Sequence, residues 1–250
     1  MPELAAGVVT DQEVIDWADA VAAGCRRLHA AGLLAGREGN CSVRLRDGSL
    51  LITASGIDKS STGPQHILRT SADGAPNPPT SANVTEGASF SDSAFRPSSE
   101  MEMHVGIYRA REDVMAVVHA HPPVATGFAT AGRSIPANVL PEVPVAVGPV
   151  ALVAYARPGT RALSEAMQPF LSTHEVFLLA NHGVTAVGRS LTDAITRLES
   201  VEQAARILLV AELLGGPRAL PTAEALTLAT LWRRTDSMSP FAQSLTDALS

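Results

Sequence analysis

Between Asp11 and Leu34, apolar side chains return every three or four residues at Val14, Trp17, Ala18, Val21, Cys25, Leu28 and Leu33. That period predicts an amphipathic helix, with Thr10 or Asp11 to cap it and Gly36 and Gly39 to break it. Two short apolar runs follow, Cys41–Leu45 and Leu50–Thr53, on either side of Arg46-Asp47-Gly48-Ser49. An Asp-Gly pair between such runs predicts a β-hairpin. Residues 54–63, ASGIDKSSTG, are turn-forming. From Thr70 to Pro97 the periodicity disappears into Ser, Ala, Asn, Gly and Pro, and the stretch reads as a long surface loop or insertion.

Pro97-Ser98-Ser99-Glu100 opens a second helix reaching about Arg111, with serine at its cap and acids in its first turn. Val114–His121 is β-branched and reads as a buried strand, and Pro122-Pro123 starts another helical stretch. Short strands are expected near 143–147 and 150–154, and a helix from Gly159-Thr160 to about Leu171. Val176–Ala180 reads as a strand ending in Asn181-His182-Gly183, and Val184–Val187 as its continuation. Residues 191–214 carry the longest helical stripe, through Leu191, Ala194, Ile195, Leu198, Val201, Ala205, Leu208 and Leu209, before Gly215-Gly216-Pro217. One apolar patch near 223–232 precedes a polar tail. Helices and strands interleave throughout, which predicts an α/β architecture. We divide the chain into one domain over 1–217 and a helical extension with tail over 218–250.

Composition narrows the class. The 250 residues are 46% hydrophobic and 18% charged, which excludes a disordered or fibrous chain. A net charge of −6 lacks the basic field of a nucleic-acid binder. The two cysteines, Cys25 and Cys41, form neither a disulfide scaffold nor a C-x-x-C pair and are expected as buried thiols. The N-terminal residues show no basic-then-apolar leader pattern, and Val143 to Ala156 is interrupted by Pro144, Gly148 and Pro149. The expectation is a soluble, cytoplasmic, globular protein.

The strongest local chemistry is His119-Ala120-His121 at a strand end. Residues i and i+2 of a strand share a face, so both imidazoles can reach one ion. Alone, the pattern favours two surface or core histidines over an ion site. A third, His182, also sits where an apolar strand stops. Three protein ligands leave a coordination position for water or substrate, as catalytic sites do. Glu100 adds a carboxylate at a helix start, where a plain N-terminal acid is the competing reading.

GNCSVR (Gly39–Arg44), ASGIDKSS (Ala54–Ser61), PSSEMEMH (Pro97–His104), VVHAHPP (Val117–Pro123) and LLANHG (Leu178–Gly183) occur in that order. Together they resemble the class II aldolase/adducin family, over about residues 11–215. The resemblance implies a single three-layer α/β/α domain around a mostly antiparallel sheet, assembled as a homotetramer with sites at subunit contacts. It implies that His119, His121 and His182 bind one divalent ion per subunit, usually Zn²⁺, with Mn²⁺ or Co²⁺ as alternatives. Glu100 would be the acid/base, and Asn40, Ser55, Gly56, Ser98 and Ser99 the pocket for a substrate phosphate. The implied reaction is cleavage of a ketose 1-phosphate to dihydroxyacetone phosphate and an aldehyde through a metal-stabilised enediolate. A 4-epimerase, decarboxylase or dehydratase of the same family is the alternative, and a non-enzymatic adducin-like module the further one. Neither nucleic acid nor membrane is an expected partner.

Two features depart from the family pattern. The best-known aldolase uses a tyrosine shortly after the H-x-H; here that stretch reads VLPEVPV, with Glu142 as its polar group, either acid/base or solvated turn residue. The 70–97 stretch is also longer than expected. His104 reads as a packed or hydrogen-bonding helix residue, and Glu202 as a buried hydrogen-bonding or interface residue. His29, His66 and His174 have no spacing with the triad, and Lys59 and Arg44 are weighed as phosphate supports against ordinary solvated charges.

Overall fold

The computed structural model describes residues 9–75 and 95–232, with side chains through 228. Most of the 70–97 stretch and the tail beyond 232 lie outside the described residues. Helix α1 (Asp11–Ala30) starts where the Thr10 hydroxyl accepts from the Glu13 N–H. It ends four residues before the periodicity does. Gly32 takes φ +72° and the Leu33 N–H returns to the Leu28 carbonyl, so the apolar side chain of Leu33 closes the helix end instead of extending it.

Strands β1 (Asn40–Arg44) and β2 (Leu50–Thr53) form the expected hairpin, turned at Asp47-Gly48 with Gly48 at φ +82°. Strand β3 (Ile67–Thr70) pairs antiparallel with β2 and was not legible, because only four residues at a sheet edge carry it. Helix α2 (Met101–Ala110), strand β4 (Ala116–Ala120) and helix α3 (Pro123–Thr130) follow. Then come β5 (Val150–Val153), α4 (Arg161–Met167), β6 (Val176–Leu179), β7 (Gly183–Gly188), α5 (Leu191–Leu213) and α6 (Thr222–Trp232).

Two expectations are corrected. Val143–Val147 is a π-helical turn, not a strand. Pro144 has no N–H to give a sheet, and the Gly148 N–H instead closes on the Val143 carbonyl at 2.8 Å. Helix α2 begins at Met101, not near Pro97, because the Ser98 N–H is taken by the Thr53 carbonyl at 3.1 Å. Serine therefore does not cap the helix; Glu100 occupies the cap position.

The seven strands run β3-β2-β1-β4-β7-β6-β5, and only the β5–β6 pair is parallel. Alternation sorts the strand residues between two cores. Ala116, Val118 and Ala120 of β4 pack with α1, α3 and α5, whereas Val117 packs with α2 and α4. This is the three-layer α/β/α arrangement. Among the described residues, no helix is long and apolar enough to cross a membrane. Cys25 and Cys41 are buried free thiols.

Glu202, on α5, is only 2% exposed, and its carboxylate accepts from the Val124 and Ala125 N–H groups at the start of α3 and from Arg206 Nε. That is the hydrogen-bonding role its position beside the apolar stripe suggested. The buried helix start would otherwise leave donors unpaired. Glu202→Ala is expected to cost about 1–3 kcal/mol, read as a lower midpoint in urea unfolding. A change within error of wild type would show that the carboxylate does not hold α3.

Candidate metal centre

His119 is the fourth residue of β4, fully buried on the α2 side of the sheet, and His121 lies just beyond the strand on the same face. His182 stands in the turn joining β6 to β7. That turn is tight: Asn181 adopts φ +55°, a left-handed conformation asparagine tolerates. Gly183 is required by space, since a Cβ there would lie 2.4 Å from His121 Cδ2 and 2.7 Å from the Ala120 carbonyl. These packed backbones bring the three rings together, with one nitrogen of each within 4.8 Å of the others.

Hydrogen bonds fix which nitrogens face inward. His119 Nδ1 is 3.1 Å from the Val184 carbonyl and 3.1 Å from Thr185 Oγ1, so Nδ1 carries the hydrogen and Nε2 the lone pair. His121 Nδ1 is 3.0 Å from Glu38 Oε2, which assigns its ring the same way. The two Nε2 lone pairs therefore face each other across 3.2 Å. The Glu100 carboxylate adds Oε2 at 3.2 Å from His119 Nε2 and Oε1 at 3.1 Å from His182 Nε2. His182 Nδ1 is buried without a hydrogen-bond partner, and Glu100 Oε1 has only its 3.1 Å contact with His182 Nε2.

Electron pairs converging in this way are unfavourable unless a cation sits among them. In a tetrahedral site with Zn–N near 2.0–2.1 Å, ligand nitrogens lie roughly 3.3–3.4 Å apart. The donor set thus fits a divalent ion held by His119, His121 and His182. Burial pushes His119 down to about 3 despite the pull of Glu100, so the ring is neutral at physiological pH. Burial pushes the Glu100 carboxyl up, but His119, His182 and the Asn40 hydrogen bond outweigh it and hold Glu100 below the usual carboxylate range.

Behind Glu100 lies a second polar group. Asn40 Nδ2 donates to Glu100 Oε2 at 2.8 Å, and Asn40 Oδ1 meets His104 Nε2. Ser42 Oγ lies 2.7 Å from His104 Nδ1 and 2.8 Å from the Tyr108 hydroxyl. His104 is thus the hydrogen-bonding helix residue expected, while Asn40, expected at a phosphate, has one amide hydrogen and its oxygen committed here.

The other expected phosphate residues share one rim. The Ala54–Pro97 bridge and the Ser55 N–H to Arg96 carbonyl bond (2.8 Å) set the Ser55-Gly56 turn beside Ser98-Ser99. Gly56 takes φ +76°, and Ser98 Oγ accepts from the Glu100 N–H at 3.3 Å. Glu142 is exposed at the head of the π-helical turn. Among the described residues, no hydrogen bond or ion pair ties it to Glu100 or the histidines. Lys59 and Arg44 are not solvated charges. Lys59 is buried, with Nζ on the Arg37 and Ile57 carbonyls, and Arg44 binds the Tyr108 and Val114 carbonyls. Glu38 and Thr185, which orient His121 and His119, carry no spacing signal that sequence reading could have used.

The family model for the class II aldolase and adducin N-terminal domain matches residues 19–209. A 5-methylthioribulose-1-phosphate/5-deoxyribulose-1-phosphate aldolase from Rhodospirillum rubrum is 36% identical over 80% of this chain and 83% of its own. A 3-oxo-tetronate 4-phosphate decarboxylase from Escherichia coli is 31% identical over 72% of this chain and 79% of its own. The solved structure of an L-fuculose 1-phosphate aldolase superposes with a TM-score of 0.70 at 30% identity, covering 91% of this chain and 98% of that one. With the model matching most of its length and relatives above 30% identity, the chain belongs to the class II aldolase and adducin family.

Proposed function

We propose that the protein is a metal-dependent class II aldolase that cleaves a ketose 1-phosphate to dihydroxyacetone phosphate and an aldehyde. The observation that carries this reading is the Glu100 carboxylate wedged against three inward-facing imidazoles. A divalent ion there supplies Lewis-acid polarisation of the substrate carbonyl. His119, His121 and His182 would hold it, with Glu38 and Thr185 orienting two of the rings. Zn²⁺ suits a donor set of three imidazole nitrogens.

In cleavage the resting Glu100 carboxylate takes the C4 hydroxyl proton, the C4 carbonyl forms as the C3–C4 bond breaks, and the electron pair stays on the phosphate-bearing fragment, which accepts that proton at C3 after the aldehyde departs. Glu100 moves the proton at that carbon: it delivers it in cleavage and removes it in condensation. Ionised at rest and partly free at Oε1, it has the acceptor the condensation direction needs. The rim of Ser55, Gly56, Ser98 and Ser99, with Asn40 beneath, offers hydroxyls and backbone N–H groups for the phosphate. That remote binding would position the reacting carbons. Glu142, exposed at the head of the π-helical turn, is the second acid/base candidate.

Decarboxylation of a 3-oxo sugar-acid phosphate is the second reading. It is supported by the Escherichia coli relative and by the same need to hold an enediolate. Product analysis on ketose 1-phosphates and 3-oxo-tetronate 4-phosphate separates the two: the aldolase reading requires an aldehyde, the other carbon dioxide. We also infer a cytoplasmic homotetramer. The exposed apolar end of α5 and its cap, where Leu213 is 79% and Leu214 82% exposed, supports self-association.

Three outcomes are expected. His119→Ala, His121→Ala and His182→Ala should each strip the metal measured by elemental analysis, whereas His174→Ala should not; full occupancy in the His182 variant would remove it from the ligand set. Glu100→Gln should retain the metal and lose about 10²–10⁴-fold in kcat. Wild-type turnover in that variant would sink the acid/base assignment. Sedimentation should give about four times the 26.0 kDa chain; a fully active monomer contradicts the assembly.

A further inference from the structure

The side chains behind Glu100 form one line. Glu100, His104 and Tyr108 recur every four residues along α2 and its cap, and Asn40 and Ser42 occupy one face of β1. The facing stripes interlock as Glu100–Asn40–His104–Ser42–Tyr108, and Glu100 is the end that meets His119 and His182. His104 and Ser42 are completely buried.

The order of donors along this line is determined by its ends. Asn40 Nδ2 donates to Glu100 Oε2 at 2.8 Å, which turns the amide oxygen the other way. Asn40 Oδ1 then faces His104 and requires a hydrogen on Nε2. A neutral imidazole protonated at Nε2 must accept at Nδ1, which the Ser42 hydroxyl satisfies. The Ser42 oxygen in turn accepts from the Tyr108 hydroxyl, whose pKa burial raises, keeping it a donor. Burial also pushes His104 down to about 4 against the pull of Glu100, consistent with one hydrogen on the ring. Reversing any link would set Asn40 Oδ1 against the carboxylate, two acceptors in a buried site.

We propose that His104 is a positioning residue for the reaction: through Asn40 it fixes which way Glu100 presents its carboxylate, committing Oε2 to the amide and leaving Oε1 for the substrate proton. This rests on the acid/base reading of Glu100. His104 touches no substrate and supplies no proton. It acts by locking an amide that could otherwise flip, and the loss should resemble that of other outer-shell partners, about 10–100-fold.

Two variants of His104 separate hydrogen bonding from packing. His104→Phe keeps a ring and removes the donor; His104→Gln keeps a donor and loses the ring. On the ketose 1-phosphate that turns over fastest, we expect His104→Phe to lower kcat about 10–100-fold with KM and metal content near wild type. His104→Gln should restore most of the loss, whereas a space-filling role predicts the reverse order and would overturn the proposal. In a Glu100→Gln background, His104→Phe should cost little more, because its effect runs through the carboxylate. An equal cost in both backgrounds would overturn the positioning role alone, while wild-type turnover of Glu100→Gln would overturn the acid/base reading and this proposal with it. Should the Phe variant not fold, Ser42→Ala removes the tautomer lock with a smaller change and should lower kcat several-fold; unchanged kcat counts against the proposal. Independently of activity, ¹⁵N shifts of the His104 ring in the metal-loaded protein should report a hydrogen on Nε2, and a hydrogen on Nδ1 would overturn it.

Discussion

The site depends on the register of β4 between its two neighbours. Pairing sets His119 opposite Asn40 of β1 on one side and opposite Thr185 of β7 on the other. From these two places come the residue that holds Glu100 and the residue that orients the His119 ring. A slip of one residue would turn His119 toward α1 and α5 and bring Val118 to face α2. The apolar alternation guards against that. Val118 and Ala120 belong to the large core beneath α1 and α5, and exchanging them with a histidine would bury an imidazole among hydrocarbons. The hydrophobic pattern of β4 is therefore also what specifies the ligand geometry.

Burial then decides the charge states. A half-exposed histidine would titrate near neutrality, yet His119 is driven down far enough that its lone pair is available at physiological pH. The same burial opposes ionising Glu100, and the carboxylate stays charged only because groups placed by three elements favour it: His119 in β4, His182 in the β6–β7 turn, Asn40 on β1. A neutral His119 ring beside a carboxylate held in its charged form is the combination that a divalent cation stabilises and that a proton-transferring carboxylate requires. Neither follows from the residue types alone.

How much was legible in the sequence differs by length scale. Helix α5 and the β1–β2 hairpin were readable because periodicity and an Asp-Gly turn are local signals. Edge strand β3 was not, since four residues with two half-buried side chains have no distinct pattern. The π-helical turn at Val143–Val147 looked like a strand because its composition is β-branched, and only Pro144 argued otherwise. At the site, the three histidines and Glu100 stood out through motif order. Glu38 and Thr185 did not, because their roles depend on which backbone lies across from them. His104 was correctly placed as a hydrogen-bonding helix residue, but its partners come from β1, more than sixty positions away (64 to Asn40). Lys59 and Arg44 show the opposite failure: their charges suggested solvent or phosphate, and the fold spends them on backbone carbonyls.

The turn carrying His182 shows why small residues flank the ligands. Ligand positions must hold to within a fraction of an ångström, which a mobile loop cannot do. The β6–β7 connection achieves this by touching β4 directly. Gly183 has no side chain to keep its backbone away from Ala120, and Gly39, at φ +70°, likewise lies against the His119 carbonyl, where a Cβ would approach to 2.6 Å. Two glycines thus clamp the end of β4 from both neighbouring segments. Any side chain at either would push the strand ends apart and separate the imidazoles. Close backbone contact, rather than the histidines' own hydrogen bonds, sets the size of the space where an ion would sit.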